Sequence, residues 1–136
     1  MNFVPYLNFD GRAREAFEFY ARVLGGRIDF MQTYGDSPAC DHVPAEMRDA
    51  LIHIRMSVGE QVLLASDCPP AYFRPMQGLY VTVQIDDPAQ ARRVFEALMD
   101  GGQVQMPFEA TFWSAGFGQG IDRYGTPWMV NCTRSP

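Results

Sequence analysis

Histidine and cysteine, the side chains behind most metal and nucleophile chemistry, are scarce in this chain of 136 residues: two of the first and three of the second. Cys40, Cys68 and Cys132 are odd in number and form no CxxC pair. Such a set predicts neither a disulfide framework nor a thiolate zinc site, but three reduced, partly buried thiols. Long apolar runs are missing too, and none approaches the roughly 20 residues of a membrane helix. Basic charge is thin: 11 basic side chains stand against 16 acidic ones, for a net charge of −5. The arginines are scattered rather than striped, which excludes the concentrated basic face that nucleic acid requires. The opening MNFVPYLNFDG enters strand-like sequence without the basic and apolar segments of a secretion signal, so a cytoplasmic location is expected.

What is present is an ordinary globular composition, 47% hydrophobic and 20% charged, arranged as a repeat. Laid without gaps over residues 82–106, residues 6–30 match Asp10 to Asp86, Ala13 to Ala89, Phe19 to Phe95 and Ala21 to Ala97. The pair Gly25-Gly26 falls on Gly101-Gly102. Each half opens with an alternating strand (3–9; 79–85) and an acidic turn able to cap a helix, Asp87-Pro88 being the clearer case. An amphipathic helix follows, on the stripe Ala13, Ala16, Phe17, Tyr20, Leu24 in one half and Ala91, Phe95, Leu98, Met99 in the other. The glycine pair then ends each helix. Strands are predicted over 27–33, 51–58 and 61–66 in the first half, and over 103–111, 116–122 and 128–133 in the second. Overlaying Gly59 on Gly125 carries the repeat to both ends. The expected organisation is one domain of two βαβββ modules, 1–67 and 79–136, joined by 68–78. Segment 34–49 is long for a connection and has the length of a lid, a binding loop or a mobile stretch.

Strand alternation divides each module into a packed and a half-polar side. Tyr6 and Asn8 oppose Leu7 and Phe9; Tyr80, Thr82 and Gln84 oppose Val81, Val83 and Ile85; Met129 and Asn131 oppose Trp128 and Val130. An α+β fold of two curled mixed sheets would turn the half-polar sides inward around a cleft suited to a small molecule. The candidate ligand-binding residues are Tyr6, Asn8, His53, Tyr80, Gln84, Trp113, Met129 and Asn131. His53 reads either as a cleft hydrogen-bonder or as an ordinary strand-edge histidine. No second group is spaced to orient it as a base, so no catalytic residue is assigned. The stretch GFGQG (116–120) precedes no helix and is not a phosphate loop. Asp36, Asp41 and His42 match no calcium loop.

The runs FEFYARVLGG (17–26) and DRYGTPW (122–128), with the duplication, resemble the vicinal oxygen chelate superfamily. That group includes glyoxalase I, extradiol dioxygenases and the bleomycin- and fosfomycin-resistance proteins. VPYLNFDG (4–11) and EATFWSAGFGQGIDRYGTPWMVN (109–131) look like its PhnB-like branch, sometimes labelled 3-demethylubiquinone-9 3-methyltransferase. The resemblance implies the glyoxalase/bleomycin resistance/dioxygenase fold and a divalent metal held by His or Glu on the first and last strands of each module. Through the repeat those positions are Val4, Tyr80, Leu63 and Met129; a slip of one residue gives Pro5, Val81, Leu64 and Val130. None is an ordinary metal ligand. The expected function is therefore binding of a small organic molecule in a metal-free cleft with no cofactor. The alternative is a divergent metal-dependent lyase, isomerase or dioxygenase. A methyltransferase would need a cofactor fold, usually a doubly wound sheet, which the repeat contradicts. The resemblance also implies a homodimer, to which Met31, Met47, Met56 and Met76 would bring adaptable apolar surface.

Overall fold

The computed structural model describes residues 1–136. They divide into two compact units, Met1–Pro75 and Met76–Pro136. The first holds β1 (Tyr6–Phe9), α1 (Ala13–Leu24), β2 (Arg27–Thr33), β3 (Leu51–Val58) and β4 (Gln61–Asp67), in a sheet ordered β1-β4-β3-β2. The second holds β5 (Val81–Ile85), α2 (Pro88–Met99), β6 (Gln103–Glu109), β7 (Phe117–Ile121) and β8 (Pro127–Cys132), ordered β5-β8-β7-β6. In each sheet the first strand runs parallel to the last and the other pairs are antiparallel. The expected α+β architecture of two βαβββ modules is what the chain forms. No helix is long and apolar enough to cross a membrane.

The helical stripes explain the packing. Ala13, Ala16, Phe17, Phe19 and Tyr20 of α1 are buried, as are Leu7, Phe9, Ile54, Met56, Leu63 and Ala65 of the sheet in the same unit. Phe9 meets Phe17 edge to face at 6.3 Å between ring centres. In the second unit Ala91, Val94, Phe95, Leu98 and Met99 of α2 are buried, together with Trp128, Val130 and Cys132. The alternate glycines of GFGQG belong to this packing. A Cβ on Gly118 would stand 2.8 Å from the Phe95 ring, and one on Gly116 or Gly120 would strike Phe108 or Met99. The motif is thus a strand thinned on one side to admit large side chains.

Two expectations need correction. The first helix is not capped by its own acidic turn: Arg12 occupies the cap position and makes no side-chain cap bond. The carboxylate of Asp67 does the work, accepting from the Gly11 and Ala13 amides at 2.9 Å and from the Leu51 amide at 2.8 Å. Parallel pairing of β1 with β4 sets Asp67 opposite Phe9, beside the helix start. In α2 the expected cap does form, Asp87 accepting from the Gln90 amide at 2.9 Å with Pro88 behind it.

The second correction concerns Leu63. Turn Gly59-Glu60 joins Val58 directly to Gln61, whereas residues 122–126 separate Ile121 from Pro127. The longer turn is organised by Asp122, which accepts from the Tyr124 and Thr126 amides and from the Trp128 indole. Overlaying Gly59 on Gly125 is therefore one residue out. Tyr6 pairs with Leu64, while Thr82 pairs with Met129. A one-residue slip exchanges the faces of a strand, so Leu63 is buried beside Met56 and Leu64 takes the half-polar side. Segment 34–49 contains two 3-10 turns, Cys40–His42 and Ala45–Met47. It is tied at its neck, where the Tyr34 amide bonds the Ala50 carbonyl at 2.9 Å and the Tyr34 hydroxyl donates to the Asp67 carbonyl at 2.7 Å.

Candidate functional site

In the second unit, cross-strand pairing sets Thr82, Met129 and Gln119 in one row and Gln84, Asn131 and Phe117 in the next, on one side of the sheet. Tyr80, just ahead of β5, joins this face: its hydroxyl donates to Gln105 Oε1 at 2.8 Å. Gln119 Nε2 lies 3.2 Å from both Tyr80 Oη and Gln105 Oε1. At the other end the Trp113 indole N–H donates to Asn131 Oδ1 at 3.1 Å, and the ring stands edge-on to Phe117 at 5.4 Å. The loop that carries Trp113 is held by its own polar groups. Thr111 Oγ1 accepts from the Trp113 and Ser114 amides, and the buried Ser114 hydroxyl bonds the Cys132 carbonyl at 2.6 Å. None of the side chains named on this face is charged.

The open face of the first unit differs. Tyr6, Leu64 and Arg55 form one row, with Asn8 and Ser66 beside it. The His53 ring lies between Tyr6 at 6.2 Å and Phe30 at 5.9 Å. Ser66 donates weakly to Asn8 Oδ1 at 3.4 Å. Asp29 carries ion pairs to Arg55 at 2.7 Å and Arg27 at 2.9 Å. A hydrogen bond from Ser57, reinforced by Arg27 and Arg55, holds the Asp29 carboxyl below its ordinary range despite some desolvation. This face is therefore aromatic with a compensated charge cluster.

The eight candidate residues thus fall into two sets. Tyr6, Asn8 and His53 share the open face of the first unit; Tyr80, Gln84, Trp113, Met129 and Asn131 share that of the second. Sequence reasoning missed Phe30, Gln105, Phe117 and Gln119. Alternation in GFGQG could have found Phe117 and Gln119, since the glycines occupy every other place. Gln105 and Phe30 lie next to register shifts in β6 and β2, where simple alternation breaks down.

The metal positions implied by the resemblance do not fit a divalent ion. With the register corrected they hold Val4, Tyr80, Leu64 and Met129, which offer one phenol, already committed to Gln105, and one thioether. A borderline or hard cation needs imidazole or carboxylate donors. No group of three or more His, Cys, Asp or Glu side chains is placed to hold one elsewhere. A shallow depression of about 570 Å³ lies along α2, lined by Phe95, Glu96, Ala97, Met99, Asp100 and Val104, and contains none of the candidate residues.

Comparison with known proteins adds family and fold. The family model described as 3-demethylubiquinone-9 3-methyltransferase matches residues 1–131. Protein PA1353 of Pseudomonas aeruginosa is 46% identical, with a TM-score of 0.89 and 97% of each chain covered. The PhnB protein of Bacillus cereus is 22% identical, with a TM-score of 0.82 over 97% of this chain and 99% of that one. A glyoxylase/bleomycin resistance protein/dioxygenase domain from Frankia sp. EAN1pec shares the fold at 8% identity, with a TM-score of 0.64 over 98% and 95% of the two chains.

Proposed function

Because the chain belongs to the family described as 3-demethylubiquinone-9 3-methyltransferase and has a PhnB-like glyoxalase fold, we propose a function from the chemistry of its sheet faces. It binds a small organic molecule, without a metal, on the half-polar face of the second unit. The carrying observation is the pair of locked clusters there, Tyr80 with Gln105 and Gln119, and Trp113 with Asn131. Side chains fixed before a ligand arrives lose little freedom on binding, and an apolar floor with few placed polar groups is the usual composition of a ligand site. Met129 and Gln84 flank these clusters on the same face. A ligand of about 20 heavy atoms at ~0.3 kcal/mol per atom would gain ~6 kcal/mol, a Kd in the tens of micromolar.

The family description names a methyl transfer, to which the fold lends no support. Both sheets are four-stranded and mixed, and the glycine-rich stretch is a strand leading into another strand, not a turn opening a helix. A metal-dependent lyase or dioxygenase is disfavoured by the donor set described above. Tyr6, Asn8 and His53 would offer a separate aromatic surface on the first unit. We further infer a homodimer in a reducing, cytoplasmic setting: all three cysteines are free, and Phe3 and Tyr72 are 94% and 75% exposed. A one-chain species in sedimentation equilibrium would remove the dimer.

The test is a thermal-shift screen of small aromatic compounds, run beside Ni, Zn, Mn and Fe(II), with elemental analysis of protein purified without added metal. Stabilisation by a compound, weakened in Tyr80→Phe and Asn131→Ala variants that melt normally, supports the reading. Unchanged affinity in both variants removes the site. A stoichiometric transition metal with a stabilising shift overturns the metal-free reading.

A further inference from the structure

Resting on that reading, we propose the class of ligand: a neutral planar molecule whose edge carries a lactam or other cis-amide, read by Gln105 and Gln119. The three side chains of this cluster share a fixed supply of hydrogens. Tyr80 has one to give, and it goes to Gln105 Oε1. The Gln119 nitrogen has two, and its two neighbours at 3.2 Å take both. What the cluster leaves over is the amide nitrogen of Gln105, with two hydrogens, and the amide oxygen of Gln119. Turning both amides over preserves every bond and only exchanges which glutamine shows the donor. In either arrangement the pair presents one donor and one acceptor.

A lactam edge, C=O beside N–H, is the complement of such a pair. A carboxylate is not: it has only acceptors, so one of its oxygens would face a glutamine carbonyl. None of the side chains named on this face carries a positive charge to compensate it, and an unpaired charge on a desolvated surface is costly. An ammonium group fails in the opposite sense, having only donors. The planar body of the ligand is set by Trp113, 47% exposed and held by its bond to Asn131 and its edge contact with Phe117. Asn131 spends its oxygen on that bond and keeps its two amide hydrogens for a second carbonyl on the ligand.

The experiment is titration calorimetry with four probes of one ring size: quinolin-2(1H)-one, its N-methyl derivative, 2-naphthoate and 2-naphthylmethylamine, whose rings add no donor or acceptor. The lactam is expected to bind best, and methylation of its nitrogen to weaken it by about 10-fold, roughly one hydrogen bond. Tyr80→Phe, which unpins both glutamines, should weaken the lactam by a similar factor and bring the lactam and N-methyl affinities together. Gln119→Leu should do the same while leaving the melting temperature within a few degrees. If the carboxylate or the amine binds as tightly as the lactam, the ligand class is wrong and the binding function stands. If the N-methyl compound matches the lactam in the parent protein, the glutamine pair is not the reader. If no probe binds at millimolar concentration, both the class and the binding reading fall.

Discussion

Replacing Asp67 by asparagine alters a carboxylate that is 1% exposed and accepts three backbone amides from two distant parts of the first unit. An asparagine whose oxygen keeps Gly11 and Ala13 must point its NH2 group at the Leu51 amide. Two donors then face each other beside a leucine that is fully buried, where water cannot substitute. An unpaired buried donor costs about 1–3 kcal/mol, and two bonds that lose their charge assistance cost about 0.5–1 kcal/mol each. The sum is ~2–5 kcal/mol, a large part of the 5–15 kcal/mol typical of a domain. At an m-value of ~2 kcal/mol/M in urea, the unfolding midpoint should fall by about 1–2.5 M. Both tryptophans lie in the second unit, so their fluorescence would follow the wrong part of the chain. Far-UV circular dichroism in urea, with amide exchange read at Ala13 and Leu51, reports the right one. Asp10→Asn is the control, because Asp10 sits where a local cap would be expected yet α1 takes no side-chain cap there; it should change stability by less than ~0.5 kcal/mol. A loss below 1 kcal/mol in Asp67→Asn, or an equal loss in Asp10→Asn, would refute the capping argument.

Two further outcomes follow from packing and from a buried phenol. Gly118→Ala places a methyl 2.8 Å from the Phe95 ring and should cost ~1–3 kcal/mol by overpacking, read as a lower melting temperature; Phe95→Leu in the same chain should return part of it. Burial, with smaller contributions from Cys68, Asp67 and Tyr6, raises the Tyr34 hydroxyl above its ordinary value of 10.0. The neutral phenol is thus favoured in the fold, so its stabilisation is complete below pH 10 and is lost as pH rises through the folded pKa. Tyr34→Phe should lose about 1 kcal/mol at neutral pH with the bond to Asp67, yet show a shallower fall in melting temperature between pH 9 and 11. Parallel pH curves for the two proteins would remove that account.

How much was legible from residues alone depends on the range over which each feature is encoded. The helices and their stops, Asp87 as a cap, and the half-polar sides carrying Tyr6 and Asn8 or Met129 and Asn131 are written in spacings of two to four residues, which the chain displays directly. The side taken by Leu63 is not legible from the repeat, because the two modules have unequal turns: the loop organised by Asp122 is longer than Gly59-Glu60. Gln105 stayed hidden because a register shift interrupts the alternation of its strand.

Local periodicity thus determined the two βαβββ modules, the side of most strands and the poverty of metal donors, since each is a property of neighbours along the chain. Only the tertiary structure decided that Asp67 caps a helix whose first amide partner lies 56 residues earlier, and that Tyr80, Gln105 and Gln119 spend their hydrogens on one another. The physical reason is the same in both cases. A hydrogen bond between separate strands is set by which strands pair and in what register, and strand pairing is a choice made by the packed sheet as a whole.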